Sequence, residues 1–229
     1  MSGTIPRELG YLSNLQSVRC DENILSGTIP TEIGLWQNVE NLNIGNNTLS
    51  GTMPSEIGKL SQLTYLDLFQ NMITGTIPTE IGLLKNVEQI YLELNAFEGT
   101  LPTELGNLQT SLQLLWMYGN NITGTVPREV GRLTKMTSLD LSFNRLTGTL
   151  PTTFGLTTNV ELLSLEYNAF TGRVPSELGL LTKLTVLALH GNFFTGQLPL
   201  EICMLKFLGN LSTVFADCSR LACACCICS

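Results

Sequence analysis

Charge is scarce in this chain: charged residues make up 14% of 229. Histidine occurs once, at His190. A nucleophile–histidine–acid triad would have to be built around that one residue, and a histidine-rich metal site is excluded outright. Lysine and arginine number 12 against 19 aspartates and glutamates, a formal net charge of −7. Phosphate backbones are bound by clustered basic surface, so nucleic acid is not an expected partner. Apolar runs of the ~18–20 residues that cross a bilayer are also missing. The opening MSGTIPRELG has neither the basic start nor the apolar stretch of a secretory signal. Phosphate-binding P-loops, separated metal-ligand pairs and kinase signatures are absent as well. We therefore expect no enzyme, no cofactor, no bound metal and no membrane span in these residues.

What the chain does have is repetition. The pattern G-x-[IMLV]-P begins at Gly3, Gly27, Gly51, Gly75, Gly99, Gly124, Gly148, Gly172 and Gly196, and it contains all nine prolines. The step is 24 residues, except for one step of 25 between Gly99 and Gly124. Self-similarity at that period predicts a stacked solenoid. Between the prolines run "LTYLDLFQN", "VEQIYLELN", "MTSLDLSFN" and "VELLSLEYN". Alternation such as Leu66-Asp67-Leu68 predicts a short strand, with the leucines inward and the intervening residues facing solvent.

An asparagine closes each strand motif: Asn23, Asn47, Asn71, Asn95, Asn120, Asn144, Asn168 and Asn192. A buried amide must be hydrogen-bonded, and an asparagine at a bend can satisfy backbone of its own and the neighbouring turn. We expect a structural ladder. In "ITGTIPTEIGLL" (73–84), Gly75 permits a bend. Pro78-Thr79-Glu80 suits the first turn of a short helix or 3₁₀ segment, with Ile81 and Leu84 inward. The extra residue of the 25-residue step falls near Gln109-Thr110-Ser111 and is expected to bulge one rim, with register restored at Leu112.

Segments such as "LSGTIPTEIG" and "LDLSFNRLTGTLP" resemble the plant-type subclass of leucine-rich-repeat proteins, and the match recurs in register across residues 1–202. The resemblance implies an α/β solenoid. It would be a right-handed superhelix with a parallel sheet on its concave face, short 3₁₀ or helical convex segments, and a second strand row from the Gly-x-Ile-Pro stretches. The family includes receptor ectodomains, kinase-linked ones among them, and secreted inhibitors or adaptors, in plants and also algae. We divide the chain into about nine repeats over 1–202 and a Cys-rich cap over 203–229. The first coil begins mid-repeat without a cap, and we expect a fragment whose upstream part holds a signal peptide or further repeats.

Cys20 takes a core position as a small hydrophobe. Cys203, Cys218, Cys223, Cys225, Cys226 and Cys228 crowd the end, and an even six there predicts a disulfide-stapled cap. The fifteen pairings that six cysteines allow remain open, and a metal cluster in "CACCIC" is the rival. Sequons at Asn46, Asn121 and Asn210 fit an oxidising, glycosylating route. Secretion or cell-surface exposure is the expectation, with a cytoplasmic protein as the alternative.

Aligned repeat by repeat, the solvent-facing strand positions gather aromatics in the middle of the concave face. Tyr65, Phe69, Tyr91, Trp116, Tyr118 and Phe143 form the patch, with Tyr167 beyond, and Trp116 is expected to stand exposed. Trp36 is expected merely to fill a convex coil. The acids are Asp21, Glu22, Asp67, Glu93, Asp140 and Glu166, and the only basic residue is Arg19. His190 and Glu166 occupy equivalent positions one repeat apart, which predicts a solvated ion pair. Exposed aromatics together mark a contact surface, although cross-strand ring stacking also stabilises a sheet by itself. We read the site as Tyr65, Asp67, Phe69, Tyr91, Glu93, Trp116, Tyr118, Asp140, Phe143 and Tyr167. It would take a protein or peptide ligand, or a glycan, of neutral or basic character. A hydrolase or lyase on this scaffold is disfavoured by the single histidine.

Overall fold

The computed structural model describes residues 1–228. Each repeat contributes a three-residue strand to one long parallel sheet. Its order follows the chain: Ser17–Arg19, Asn41–Asn43, Tyr65–Asp67, Gln89–Tyr91, Leu114–Trp116, Ser138–Asp140, Leu162–Ser164, Val186–Ala188, Thr213–Ala216 and Ile227–Cys228. Register is unbroken across the 25-residue step, where Trp116 pairs with Tyr91 behind it and Asp140 ahead. The additional residue lengthens a convex 3₁₀ segment instead of bulging a rim: Thr103–Leu108 has six residues where its neighbours have five. The convex turn lies outside the strand ladder, with only the Lys85 ammonium among the described residues reaching its Asn107 carbonyl from the coil before, so it absorbs length without disturbing the ladder.

The Gly-x-Ile-Pro stretches form a second parallel row, in a five-stranded sheet from Ser2–Thr4 to Ala96–Glu98 and a four-stranded one from Thr123–Gly124 to Phe193–Phe194. Thr100 and Thr123 bridge the two. In this row Gly75 has φ +73°, and a Cβ there would stand 2.8 Å from Thr52 Cγ2. The same contact recurs between Thr28 and Gly51 at 2.7 Å and between Thr76 and Gly99 at 2.7 Å. Each threonine methyl thus packs where the next coil's glycine lacks a side chain.

The convex side carries 3₁₀ segments, each entered through an extended proline such as Pro78. Their inward residues, Ile81 and Leu84 for example, are fully buried. Trp36 is 2% exposed and donates Nε1–H to the Leu9 carbonyl at 2.8 Å. The asparagines tie adjacent coils together. Asn71 donates to the carbonyls of Leu68, Phe69 and, one coil back, Ile44, while its Oδ1 accepts from the Leu49 amide at 2.9 Å.

The two ends differ. At the first coil, Met1, Ile5, Leu9, Val18, Cys20 and Trp36 line an open apolar cavity of about 180 Å³. Cys20 lines that cavity and is half-buried rather than enclosed. At the other end the helix Leu200–Leu208 packs on Ser176–Leu180 and buries Ile202, Cys203 and Leu205. This helix spans the 202/203 boundary, so solenoid and cap merge there. Disulfides join Cys203 to Cys225, Cys218 to Cys228 and Cys223 to Cys226, and the last two strands continue the concave sheet. Cys203, Cys223 and Cys225 lie close enough to share a metal ion, but each is taken up in one of these bonds. Asn210 is exposed, whereas Asn46 and Asn121 are half-buried. Among the described residues no helix is long and apolar enough to cross a membrane.

Candidate functional site

Period-2 alternation on the concave strands turns Tyr65, Tyr91 and Trp116 outward on three successive coils, while Leu66, Ile90 and Leu115 enter the core. Inter-strand spacing brings the rings into contact. Tyr65 and Tyr91 lie 5.4 Å apart between ring centroids, and Tyr91 meets Trp116 edge-on at 5.2 Å. Trp116 is therefore not free-standing. It is half-buried against Tyr91, and its indole N–H donates to Ser138 Oγ at 2.9 Å. Tyr91 donates its hydroxyl to Gln89 Oε1 at 3.1 Å. The rings form a fixed strip along the sheet, with two χ angles each already set.

The aromatics do not make one patch. Phe143 and Tyr167 belong to the turn after the strand, with φ of 51° and 52°. They stack face to face at 4.5 Å on the rim. Tyr167 then meets His190 edge-on at 5.0 Å, and His190 meets Phe215 at 5.7 Å. Phe215 belongs to the cap and could not be placed beside His190 from the 24-residue period, which ends before it. His190 and Glu166 make no ion pair. The ring nitrogen Nδ1 and the carboxylate Oε2 are each buried without a protein partner. Ring packing on both sides holds the imidazole away from the acid.

Acids lie among the rings. Asp67 accepts from the Tyr65 hydroxyl at 2.9 Å and from the Phe69 amide at 3.0 Å. Asp140 accepts from the Ser142 hydroxyl at 2.6 Å and its amide at 3.0 Å. Glu93, between Phe69 and Tyr118 in the next outward column, is 5% exposed, and no protein group donates to its Oε2. Burial pushes the Glu93 carboxyl up to about 7, and the charges of Asp67 and Asp140 add to the effect. Burial likewise raises Asp67, Asp140 and Glu166, and it raises the hydroxyls of Tyr65, Tyr91 and Tyr118. No arginine or lysine stands within the strip; Arg19 lies two coils back on the first strand. Sequence reading placed these acids but not their hydrogen-bond partners. Ser138, Ser142 and Gln89 carry no signal beyond sharing the sheet face.

Family profiles described as leucine-rich repeat match residues 134–194 in one form and residues 38–60, 62–84 and 111–133 in another. Among solved structures, the plant peptide hormone receptor RGFR1 in complex with RGF2 is 34% identical with a TM-score of 0.89. The match covers 97% of this chain and 35% of that one. The ectodomain of the membrane receptor kinase GASSHO1/SCHENGEN3 from Arabidopsis thaliana, in complex with CASPARIAN STRIP INTEGRITY FACTOR 2, is 35% identical with a TM-score of 0.89, covering 97% of this chain and 26% of that one. A plant ice-binding protein is 26% identical with a TM-score of 0.68, over 93% of this chain and 77% of that one. The chain thus spans about a third or less of the two receptor ectodomains. No curated protein matches. Repeat, fold and these likenesses agree: the chain belongs to the leucine-rich-repeat family, in its plant-type subclass.

Proposed function

We propose that this protein is a non-enzymatic recognition module whose concave face binds a protein or peptide ligand outside the cell, either as a secreted protein or as part of a receptor ectodomain. The observation that carries the reading is the fixed ring strip Tyr65–Tyr91–Trp116, set among acids, with Arg19 the one basic residue in electrostatic reach of its first ring. Pre-positioned aromatic side chains cost little entropy on binding and act as anchors. The likeness to receptors solved with peptide hormones supports an extended peptide over a glycan. Three disulfides in the cap support an oxidising compartment. Panning a random peptide library on the protein tests it. Recovered peptides should bind the double variant Tyr91→Ala, Trp116→Ala at least about 30-fold more weakly, the equivalent of ~2 kcal/mol. Equal affinity in the double variant refutes the reading.

A second reading is favoured by the other sheet. Thr4, Thr28, Thr52, Thr76, Thr100, Thr125 and Thr149 form one column, each methyl set against the glycine of the next coil. Thr74, Thr123, Thr147 and Thr171 form another, each hydroxyl donating to a glycine carbonyl one coil back. Hydroxyls held at the ~4.8 Å strand spacing offer a regular array to a periodic surface. Likeness to a plant ice-binding protein names ice as that surface. Ice-recrystallisation and thermal-hysteresis assays decide: activity that disappears in Thr76→Lys, Thr100→Lys supports this reading, and an inactive parent protein ends it.

A further inference from the structure

The acids of the concave strip are not equivalent. Asp67 and Asp140 each accept two hydrogen bonds from neighbouring residues. Glu93 lies within the electrostatic reach of both, is 95% buried by its 5% exposure, and has an oxygen to which no protein group donates. An ionised carboxylate so placed is costly until a donor reaches it, and a cation satisfies it better than a neutral donor. The charged and titratable groups around it are Asp67 and Tyr65 on one strand, Tyr91 on its own, Tyr118 on the following coil, and Asp140 with Glu166 beyond. All are acids or phenols; the one cation in reach is Arg19, whose charge acts on Tyr65 and not on Glu93. Aromatic rings adjoin it, Tyr91 on its own strand and Tyr118 on the next coil, and an aromatic ring attracts a cation as well. One ring is less fixed than the other: among the described residues, Tyr118 stacks on no ring and its hydroxyl makes no hydrogen bond, whereas Tyr91 does both.

We propose that the concave site seats a cationic group of its ligand, an arginine or lysine side chain or a free amino terminus, on the Glu93 carboxyl between Tyr91 and Tyr118, with Asp67 and Asp140 flanking. The proposal rests on the concave-face reading and specifies its chemistry. Binding is then linked to pH. Below about 7 Glu93 is protonated and neutral. The cation selects the carboxylate, so binding releases a proton and tightens as pH rises through that value.

The test uses two small probes, N-acetyl-arginine amide and its neutral isostere N-acetyl-citrulline amide, titrated at millimolar concentration and followed by backbone amide NMR. The arginine probe should shift the amides of residues 91–93 and 116–118, with at least tenfold preference over citrulline. Its affinity should rise about tenfold from pH 6 to pH 8, the ratio of ionised fractions for a group titrating near 7. In Glu93→Gln both the preference and the pH dependence should vanish while the amide spectrum stays folded. Equal binding of the two probes, a flat pH profile, or an unchanged profile in Glu93→Gln overturns the cation site. If that happens while library peptides still lose affinity in the Tyr91→Ala, Trp116→Ala variant, the recognition reading stands and only the cation is wrong. If the library peptides are indifferent to that double variant, the recognition reading fails, and the arginine titration separately reports on Glu93.

Discussion

The same 24-residue unit builds two rows of parallel strands, yet their outward faces differ in kind. On the second row the side chain changes little from coil to coil, and the reason is local. Thr52 packs its methyl where Gly75 has no Cβ, and the same fit recurs from the Thr4–Gly27 pair through the Thr149–Gly172 pair, giving way to Arg173 beside Gly196. On the concave row the outward residue changes at each step, from Asn41 to Tyr65, Gln89, Leu114 and Ser138. Stacking makes no demand at these positions. A residue the repeat does not require is where a ring strip and an under-bonded Glu93 can be placed without disturbing the stacking of the coils. The contrast separates scaffold from site within one chain, and it can be attacked from either side.

The strongest attack is on the scaffold. Gly75→Val puts a β-branched side chain at φ +73° and into Thr52. Strain of that kind costs about 3 kcal/mol, and the lost Thr–Gly fit can only add to it. Chemical denaturation should show the full loss. A variant within ~0.5 kcal/mol of the parent would mean the second row is not a stacking device.

Next comes the seam between the faces. Asn95 donates to the carbonyls of Leu68, Leu92 and Glu93 and accepts from the Ile73 amide at 3.0 Å. Alanine would leave the Ile73 amide without its partner and take one of two donors from each of the three carbonyls, so Asn95→Ala should lose about 2 kcal/mol. Because it bonds across two coils, its amide-exchange protection should fall at Ile73 as well as locally. A parent-like melt would remove the ladder from the scaffold.

On the concave side the effect reverses sign. Glu93 keeps a proton in the folded state up to about pH 7, while the unfolded chain gives it up near its ordinary value of 4.5. Between those values the folded state binds more protons, so the stability contributed by Glu93 falls as pH rises from about 4.5 to 7. Glu93→Gln removes that liability. It should stabilise the protein by about 2 kcal/mol at pH 8 and hardly at all at pH 4.5. Equal stabilities at both pH values would show Glu93 to be solvated, and the site would lose its distinguishing group.

The scaffold was legible in the sequence because its requirements recur. Proline, glycine and asparagine each return every 24 residues, and a strand ladder has only one register that keeps the leucines inward. The site was legible only in part. Tyr65, Tyr91 and Trp116 could be set in neighbouring columns by counting, but not the edge-on contact of Trp116 with Tyr91 or its bond to Ser138. Counting also merged Phe143 and Tyr167 with that strip. Their left-handed turn carries them to the rim, and period-2 alternation does not extend through a turn. The cysteine pairing was out of reach for a simpler reason: nothing in the cap repeats.

The mildest change tests the comparison most finely. Thr76→Val keeps a β-branched methyl over Gly99 and removes only a hydroxyl on an exposed position. If the column exists for stacking, the valine should fit the same rotamer well, and stability should change by less than ~0.5 kcal/mol. Thr74→Val differs by one bond, because Thr74 donates to the Gly51 carbonyl at 3.1 Å, and about 0.5–1 kcal/mol should be lost there. The two thresholds are close, so both variants belong in one thermal-melt series with Gly75→Val as the upper mark. Should Thr76→Val cost as much as Thr74→Val, the hydroxyl column is itself structural. The second row would then carry no side chain left over for a surface to read, and the threonine array would lose its claim to a function separate from the fold.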